Sequence, residues 1–265
     1  MAAPFYREEG PHEAVFVLER VQESESEEER FKLLQRFRYE SARTGASYVI
    51  PADDAFRTDL ASVPFFLTWL VPRGGTHTPA ALLHDGLTPG GKHEPQSYLG
   101  PPVTRHEADV LFRDALGELG VPVIRRWLMY AGVSLPTIAE HGRLRVLGMG
   151  LFVAVLTVVV ALQTLDLFDT GWFALPWMGD RNVLVELVIA FAVPSALTVV
   201  LLPLWWGWWR VGLAIGWLLT FIAVPLLFML SSVGAYLVLE WLLSRRLEGR
   251  GPMPARNPTG RVRKT

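Results

Sequence analysis

Two hydrophobic patterns divide the chain. Between residues 31 and 140, apolar positions occur in short runs broken by polar residues, whereas residues 146–243 are almost continuously apolar. The first pattern is typical of short strands and amphipathic helices around a small core, and the second of membrane-spanning helices. We therefore predict an α+β fold: a small soluble N-terminal domain with a few short strands and about three helices, followed by an all-α transmembrane bundle of three or four helices.

The soluble half has clear helix start signals. Thr78 followed by Pro79 is typical of a helix N-terminus, and Thr104 with Glu107 three residues later forms a capping-box pattern. Gly120, followed by a proline two residues later, ends the second helix. The predicted elements are strands near 37–39 and 47–50, and helices over 79–87, 105–119 and about 123–133.

The apolar half contains three hydrophobic segments. Residues 146–165 carry no charge and are long enough to cross a hydrocarbon core of ~30 Å at ~1.5 Å per residue. Residues 183–204 form a second predicted span. Residues 211–243 are too long for one upright helix and short for two, so they predict either one long tilted helix or a tight hairpin.

Charge placement predicts the orientation of these spans. Arg143 and Arg145 precede the first span and the loop at 166–181 is acidic, which places the N-terminal domain in the cytoplasm. The tail at 244–265 carries seven basic residues and one acidic residue, and is predicted to be cytoplasmic too. Two cytoplasmic ends need an even number of crossings, which narrowly favours the hairpin. We predict an integral protein of the cytoplasmic membrane, with the lipid bilayer as a partner.

Composition excludes several other classes of function. Residues 1–30 predict an acidic, poorly ordered arm with no apolar stretch of the kind found in signal peptides. The absence of cysteine excludes disulfides and cysteine-ligated zinc. Neither a glycine-rich phosphate loop nor a basic stripe for nucleic acid is present, so no nucleic-acid partner is expected. A protein partner or small-molecule substrate is not identified by the sequence.

The candidate chemistry lies in ALLHD at 81–85. His84 and Asp85 interrupt an apolar helix, and burying such groups is costly unless they are paired or bind a cation. Asp109 can point inward from the next helix, and Asp59 is a fourth candidate. Imidazole with carboxylates suits one divalent ion such as zinc, manganese or magnesium, which would activate water for hydrolysis. The predicted metal ligands are Asp59, His84, Asp85 and Asp109.

Two functions remain open for these residues. In a metal-dependent hydrolase-like site, the catalytic residues are His84, Asp85 and Arg105. His84 is a metal ligand or the general base, and Arg105 orients the site or binds an anion. In a non-catalytic, membrane-tethered interaction module, the same residues form a buried ion-pair network, with Arg105 or Arg113 as partners of the carboxylates. Buried structural pairs produce similar patterns.

Four ordered motifs resemble a known family. FRTDLASVP at 56–64, AALLHD at 80–85, RHEADVLF at 105–112 and RRWLMYAG at 125–132 are similar to the domain of unknown function 1353 of tailed phages and bacteria, over about 31–134. The family patterns are similar to T-D-x-A-S-x-P, H-D-x-L-Y and R-x-x-A-D. Matched residue by residue to this chain, the resemblance implies the following site residues: Thr58, Asp59, Ser62, Pro64, His84, Asp85, Arg105, Asp109 and Tyr130.

The chain departs from this family pattern in two places. HDGLTPG replaces the usual H-D-x-L-Y ending, and residues 88–103 form a longer loop rich in glycine and proline. The resemblance implies no established activity. ALLHD is also similar to the core of HD-type metal phosphohydrolases, but those are mostly helical and carry a further histidine upstream, so this likeness is one of chemistry only.

Overall fold

The fold is mixed, with helices and short strands. The computed structural model describes residues 4–8, 12–21, 30–60, 68, 71–72, 74–88, 96–168, 174–179 and 181–247. Within this part of the chain there are five short strands and seven helices. The predicted mixture of short strands and helices is therefore confirmed.

The strands are β1 (Phe5–Arg7), β2 (Leu18–Val21), β3 (Arg30–Leu33), β4 (Phe37–Glu40) and β5 (Ser47–Ile50). The helices are α1 (Thr78–Leu87), α2 (Arg105–Glu118), α3 (Val123–Glu140), α4 (Arg143–Leu167), α5 (Val183–Leu201) and α6 (Trp209–Leu247), with a 3-10 helix at Leu202–Trp205. The two predicted strands correspond to β4 and β5. The predicted capping box at the start of α2 is present, with both of its hydrogen bonds.

Two small antiparallel sheets lie at the N-terminal end. One has the strand order β1-β4-β5, with Phe5 opposite Tyr39, and the other pairs β2 with β3. A poorly ordered arm was predicted over residues 1–30, yet β1 and β2 fall inside that range and Phe5 is 1 % exposed. Phe5 is held because its ring packs against the rings of Phe37 and Tyr39. Residues 22–29 lie outside the described residues.

The helices α1 and α2 cover the larger sheet. A Cβ added at Gly86 would lie 2.7 Å from Cγ2 of Ile50, so the glycine allows α1 to approach β5 closely. Leu82, Leu83 and Leu87 of α1 are fully buried. Packing of α1 on α2 and of α2 on α3 then places the polar residues of three helices in one core.

Two later helices are long and apolar enough to cross a membrane, α4 and the segment Val183–Trp205. Only 28 % and 11 % of their apolar windows are buried inside the protein. By packing, the chain divides into a unit of residues 1–223 and a unit of residues 224–265. The predicted boundary between a soluble domain and a membrane region, at 140–146, stays a prediction.

The segment predicted to form a hairpin is helical throughout. α6 runs without a break from Trp209 to Leu247, so the hairpin preferred for 211–243 is not formed. An uninterrupted helix pairs its backbone groups internally, whereas a turn within an apolar stretch leaves some of them unpaired. The number of membrane crossings stays a prediction. Residues 248–265, most of the predicted basic tail, lie outside the described part.

Candidate functional site

A buried carboxylate joins three helices. Asp109 of α2 is fully buried, and its Oδ1 lies 2.8 Å from Nε2 of His84 on α1. Its Oδ2 accepts a hydrogen bond from the Thr137 hydroxyl of α3 at 2.6 Å. His84 and Thr137 are 8 % and 2 % exposed. Each oxygen of Asp109 thus has one partner, and a buried pair between His84 and Asp109 exists within the group of residues singled out from the sequence.

The contact with Asp109 selects one tautomer of His84. A carboxylate oxygen accepts hydrogen bonds, so the hydrogen between the two groups is assigned to Nε2 of His84. In a neutral imidazole the other nitrogen, Nδ1, is then the one with a free lone pair. The Phe112 ring, 5.2 Å from the imidazole between centroids, packs against it. Asp109 therefore holds His84 in one orientation and one tautomer.

Asp85 is held separately, by Thr58. The Thr58 hydroxyl donates to Oδ2 of Asp85 at 2.5 Å and accepts from the backbone N–H of Leu60 at 2.8 Å. Two backbone hydrogen bonds to Phe31 of β3 fix Thr58 in turn. Leu60 adopts a left-handed backbone, with φ of 69°, which is uncommon for a residue with a side chain. The backbone of residues 58–60 thus holds the Thr58 hydroxyl in position to bind the Asp85 carboxyl group.

The environment of Asp85 changes its protonation near neutral pH. Burial raises its pKa from 3.8 to about 7, although the Thr58 hydrogen bond and the neighbouring His84 oppose the rise and the charge of Asp59 adds to it. The side chain is partly buried, while Asp59 is exposed. Close to pH 7, Asp85 therefore exists in both protonation states, next to the oriented imidazole.

We expect the free energy of unfolding to reflect this raised pKa. The folded state holds the Asp85 proton up to about pH 7, whereas the unfolded chain releases it near 3.8, so stability contributed by protonated Asp85 is lost as pH rises between these values. The side chain in Asp85→Asn stays neutral. Allowing for partial exposure, the free energy of unfolding of this variant should be about 1–2 kcal/mol higher than that of the wild type at pH 8, and the difference should be much smaller at pH 4. Thermal unfolding at both pH values measures the difference.

The control for this measurement is Asp54→Asn, which removes an exposed carboxylate from the loop before Thr58. Its stability relative to the wild type should change little between the two pH values. An Asp85→Asn difference of the same size at pH 4 and pH 8 would contradict the raised pKa.

Other predicted site residues lie elsewhere. Arg105 donates from Nη1 to Glu140 of α3 at 2.8 Å, and no contact with His84, Asp85 or Asp109 is found among the described residues. Arg113 binds Asp114 in place of a site carboxylate. The alternative pairing of Asp109 with an arginine is therefore wrong, because its two oxygens are used by His84 and Thr137.

The predicted set of four metal ligands is not assembled as such. Within the described residues, no group of three or more His, Cys, Asp or Glu side chains is placed to hold a metal ion. Asp109 faces its two hydrogen-bonding partners, and Asp85 bonds Thr58.

Ser62 and Pro64, carried over from the family pattern, lie outside the described residues. Tyr130 is buried against Trp127, with Arg113 over its ring.

The sequence interpretation missed Thr137. This residue follows Pro136 inside α3, beyond the predicted end of that helix at about 133. Ser134 and Thr137 are both buried. Two hydroxyl residues one turn apart in an apolar run were the available signal, since buried hydroxyls need partners.

The comparisons with known proteins agree with the resemblance. Residues 31–133 match the model of the family described as protein of unknown function (DUF1353). This range includes Thr58, His84, Asp85 and Asp109, and it ends before Thr137 and before the apolar helices. No curated protein and no solved structure matches the chain.

Proposed function

We propose that this chain is a membrane-anchored protein whose N-terminal domain carries a hydrolase-like acid–base site centred on His84. The observation that carries the proposal is the fully buried Asp109 carboxylate, which orients the His84 imidazole beside a carboxyl group of raised pKa. A carboxyl group with a strongly raised pKa beside a histidine is typical of sites that transfer protons.

His84 is the general base of this proposal. Asp109 accepts a hydrogen bond from the Nε2–H of His84, so Nδ1 provides the lone pair that takes a proton from an attacking water molecule. Asp109 also stabilises the imidazolium that results, as the carboxylate does in hydrolytic triads. With its pKa near neutrality, Asp85 can donate a proton to a leaving group. The roles of base and acid thus follow from different environments of adjacent residues.

The predicted divalent cation is not supported by the arrangement of the described residues, which holds no group of three such ligands. Zinc, manganese or magnesium would need Asp59, His84 and Asp85 to come together, and would then supply an acidic bound water. Asp109 would not be a ligand. It would accept a hydrogen bond from the other ring nitrogen of His84, as carboxylates commonly do for metal-bound histidine.

The test compares the full chain in lipid nanodiscs with His84→Gln. The glutamine Nε2 can still donate to Asp109, but it has no imidazole lone pair. We expect loss of at least about 100-fold in hydrolysis of p-nitrophenyl phosphate, bis(p-nitrophenyl) phosphate or p-nitrophenyl acetate, assayed with and without zinc, manganese or magnesium. His12→Gln, at an exposed histidine, is the control and should retain the wild-type rate.

A second function has its own supporting observation. Asp109 is fully buried and both its oxygens are hydrogen-bonded, which is also how a purely structural network is built. In that case the domain is a non-catalytic, membrane-tethered interaction module. Equal rates for the wild type and His84→Gln on every substrate, with no stabilisation of either by a divalent ion, would favour this function over the hydrolase-like site.

Membrane anchoring rests on the exposure of the apolar helices. A core helix of a soluble protein is mostly buried, but α4 and α5 leave most of their apolar surface uncovered. Val158 and Val200, for example, are 55 % and 70 % exposed. Arg143 and Arg145 at the start of α4 support a cytoplasmic N-terminal domain.

A further inference from the structure

A cavity rich in arginine lies apart from the His84 site. It has a volume of about 910 Å³, and its charged lining residues are Arg43, Arg113, Arg126, Arg210, Asp114 and Glu118. The cavity is open to solvent and is lined by residues of the β4–β5 loop, α2, α3 and the first turn of α6. None of the residues assigned to acid–base chemistry lines it, so its charge requires a separate explanation.

The positive charges of this cavity exceed the negative ones. Arg43 and Arg113 both bind Asp114, at 2.8 Å each. Glu118 accepts a hydrogen bond from the Tyr39 hydroxyl, and burial raises the pKa of its carboxyl group. Among the described lining residues, four arginines thus face two carboxylates.

Two of the four guanidinium groups are not neutralised by carboxylates. Arg126 and Arg210 form no ion pair with any residue that the structure describes. Arg210 is exposed and lies 5.2 Å from the ring centroid of Trp209. Both can therefore donate hydrogen bonds to an anion in the cavity.

A glycine makes room for one of these groups. A Cβ added at Gly117 would lie 2.5 Å from Nη1 of Arg126, so any other residue would displace the guanidinium. Trp127, the neighbour of Arg126, also lines the cavity and carries Arg113 over its ring. Arg113 and Arg126 are thus in contact with neighbouring groups, whereas Arg43 and Arg210 are exposed.

From this arrangement we propose that the cavity binds a phosphate group. Arginine donors match the oxygens of a phosphate in pairs, and a net charge of about +2 matches its charge. The phosphate belongs to a phospholipid headgroup or to a soluble phosphate compound. A lipid headgroup as the source rests on the membrane anchoring proposed above, because Arg210 ends the tryptophan-rich segment at 205–210. The phosphate site itself does not depend on membrane anchoring.

The experiment measures binding to the full chain in maltoside micelles, which contain no phosphate. Isothermal titration uses two probes, inorganic phosphate and short-chain phosphatidic acid, with short-chain diacylglycerol as the lipid without phosphate. We expect Arg126→Gln to weaken phosphate binding about tenfold or more, since a charge-assisted hydrogen bond is lost. Arg125→Gln, at the adjacent arginine outside the cavity lining, should bind as the wild type does.

Each outcome decides a point. Much tighter binding of phosphatidic acid than of phosphate, with none of diacylglycerol, identifies a lipid headgroup, whereas similar affinities identify a soluble phosphate compound. Absence of binding to both probes, or equal binding by wild type and Arg126→Gln, overturns the proposal. Should Arg126→Gln fail to fold, the exposed Arg210→Gln replaces it with the same expectation. His84→Gln should leave phosphate binding unchanged, so failure of the hydrolase-like site is seen separately.

Discussion

Replacing Asp109 with alanine is expected to lower the free energy of unfolding by about 3–5 kcal/mol. The substitution removes the acceptor of two buried hydrogen bonds, from His84 and from Thr137, and leaves both donors unpaired. A buried donor without a partner costs about 1–3 kcal/mol. Because typical domains are stable by only about 5–15 kcal/mol, this loss should be visible as a large fall in the urea midpoint.

The control is Asp114→Ala on the same helix. Asp114 also has two side-chain partners, Arg43 and Arg113, but it is partly exposed and its partners can be hydrated. We expect a loss of about 1 kcal/mol or less. A double-mutant cycle of Asp109→Ala with His84→Ala should give a coupling energy of about 1–3 kcal/mol. Additive effects of these two substitutions would show that the contact does not hold α1 to α2.

The second large effect is expected in α4. Val158→Arg places a charge near the middle of this helix, at a side chain that is 55 % exposed. In a bilayer, an arginine at the helix centre costs about 2.5–3.5 kcal/mol of insertion free energy, so the variant should be largely lost from the membrane pellet after carbonate extraction. In a soluble helical bundle, the same exposed substitution would change stability by only about 0.5 kcal/mol.

Val146→Arg is the matched variant at the start of α4. This valine is 45 % exposed and follows Arg143 and Arg145, where a further charge would lie at the membrane surface. It should remain in the membrane pellet. Recovery of the wild-type chain in the soluble fraction without detergent, or equal behaviour of the two variants, would contradict membrane anchoring.

Part of the fold could be predicted because its signals are local. The capping box of α2 and the alternation in β4 and β5 depend on residues close in sequence. The strands β1, β2 and β3 were missed, since β1 depends on its pairing with β4, and β2 and β3 depend on pairing with each other. The predicted end of α3, at about residue 133, lies before the observed end at Glu140, because Pro136 is tolerated inside the helix.

The candidate site shows the same division. His84, Asp85 and Asp109 could be singled out because they are polar residues in apolar helices. The pairing of His84 with Asp109 was not predicted and became visible only in the structure. Arg105 was expected beside them because it shares a helix face with Asp109. It turns instead to Glu140, since α3 is longer than predicted and brings that carboxylate within 2.8 Å.

The sequence by itself determined most helix positions, two of the five described strands and which polar residues need compensation, because hydrophobic periodicity and burial cost act locally. Only the tertiary structure decided the partners: His84 and Thr137 lie 25 and 28 residues from Asp109, and Thr58 lies 27 residues from Asp85. Contacts over such separations depend on how helices cross and on the approach of α1 to β5 at Gly86, and small shifts in that packing would exchange one hydrogen-bond partner for another.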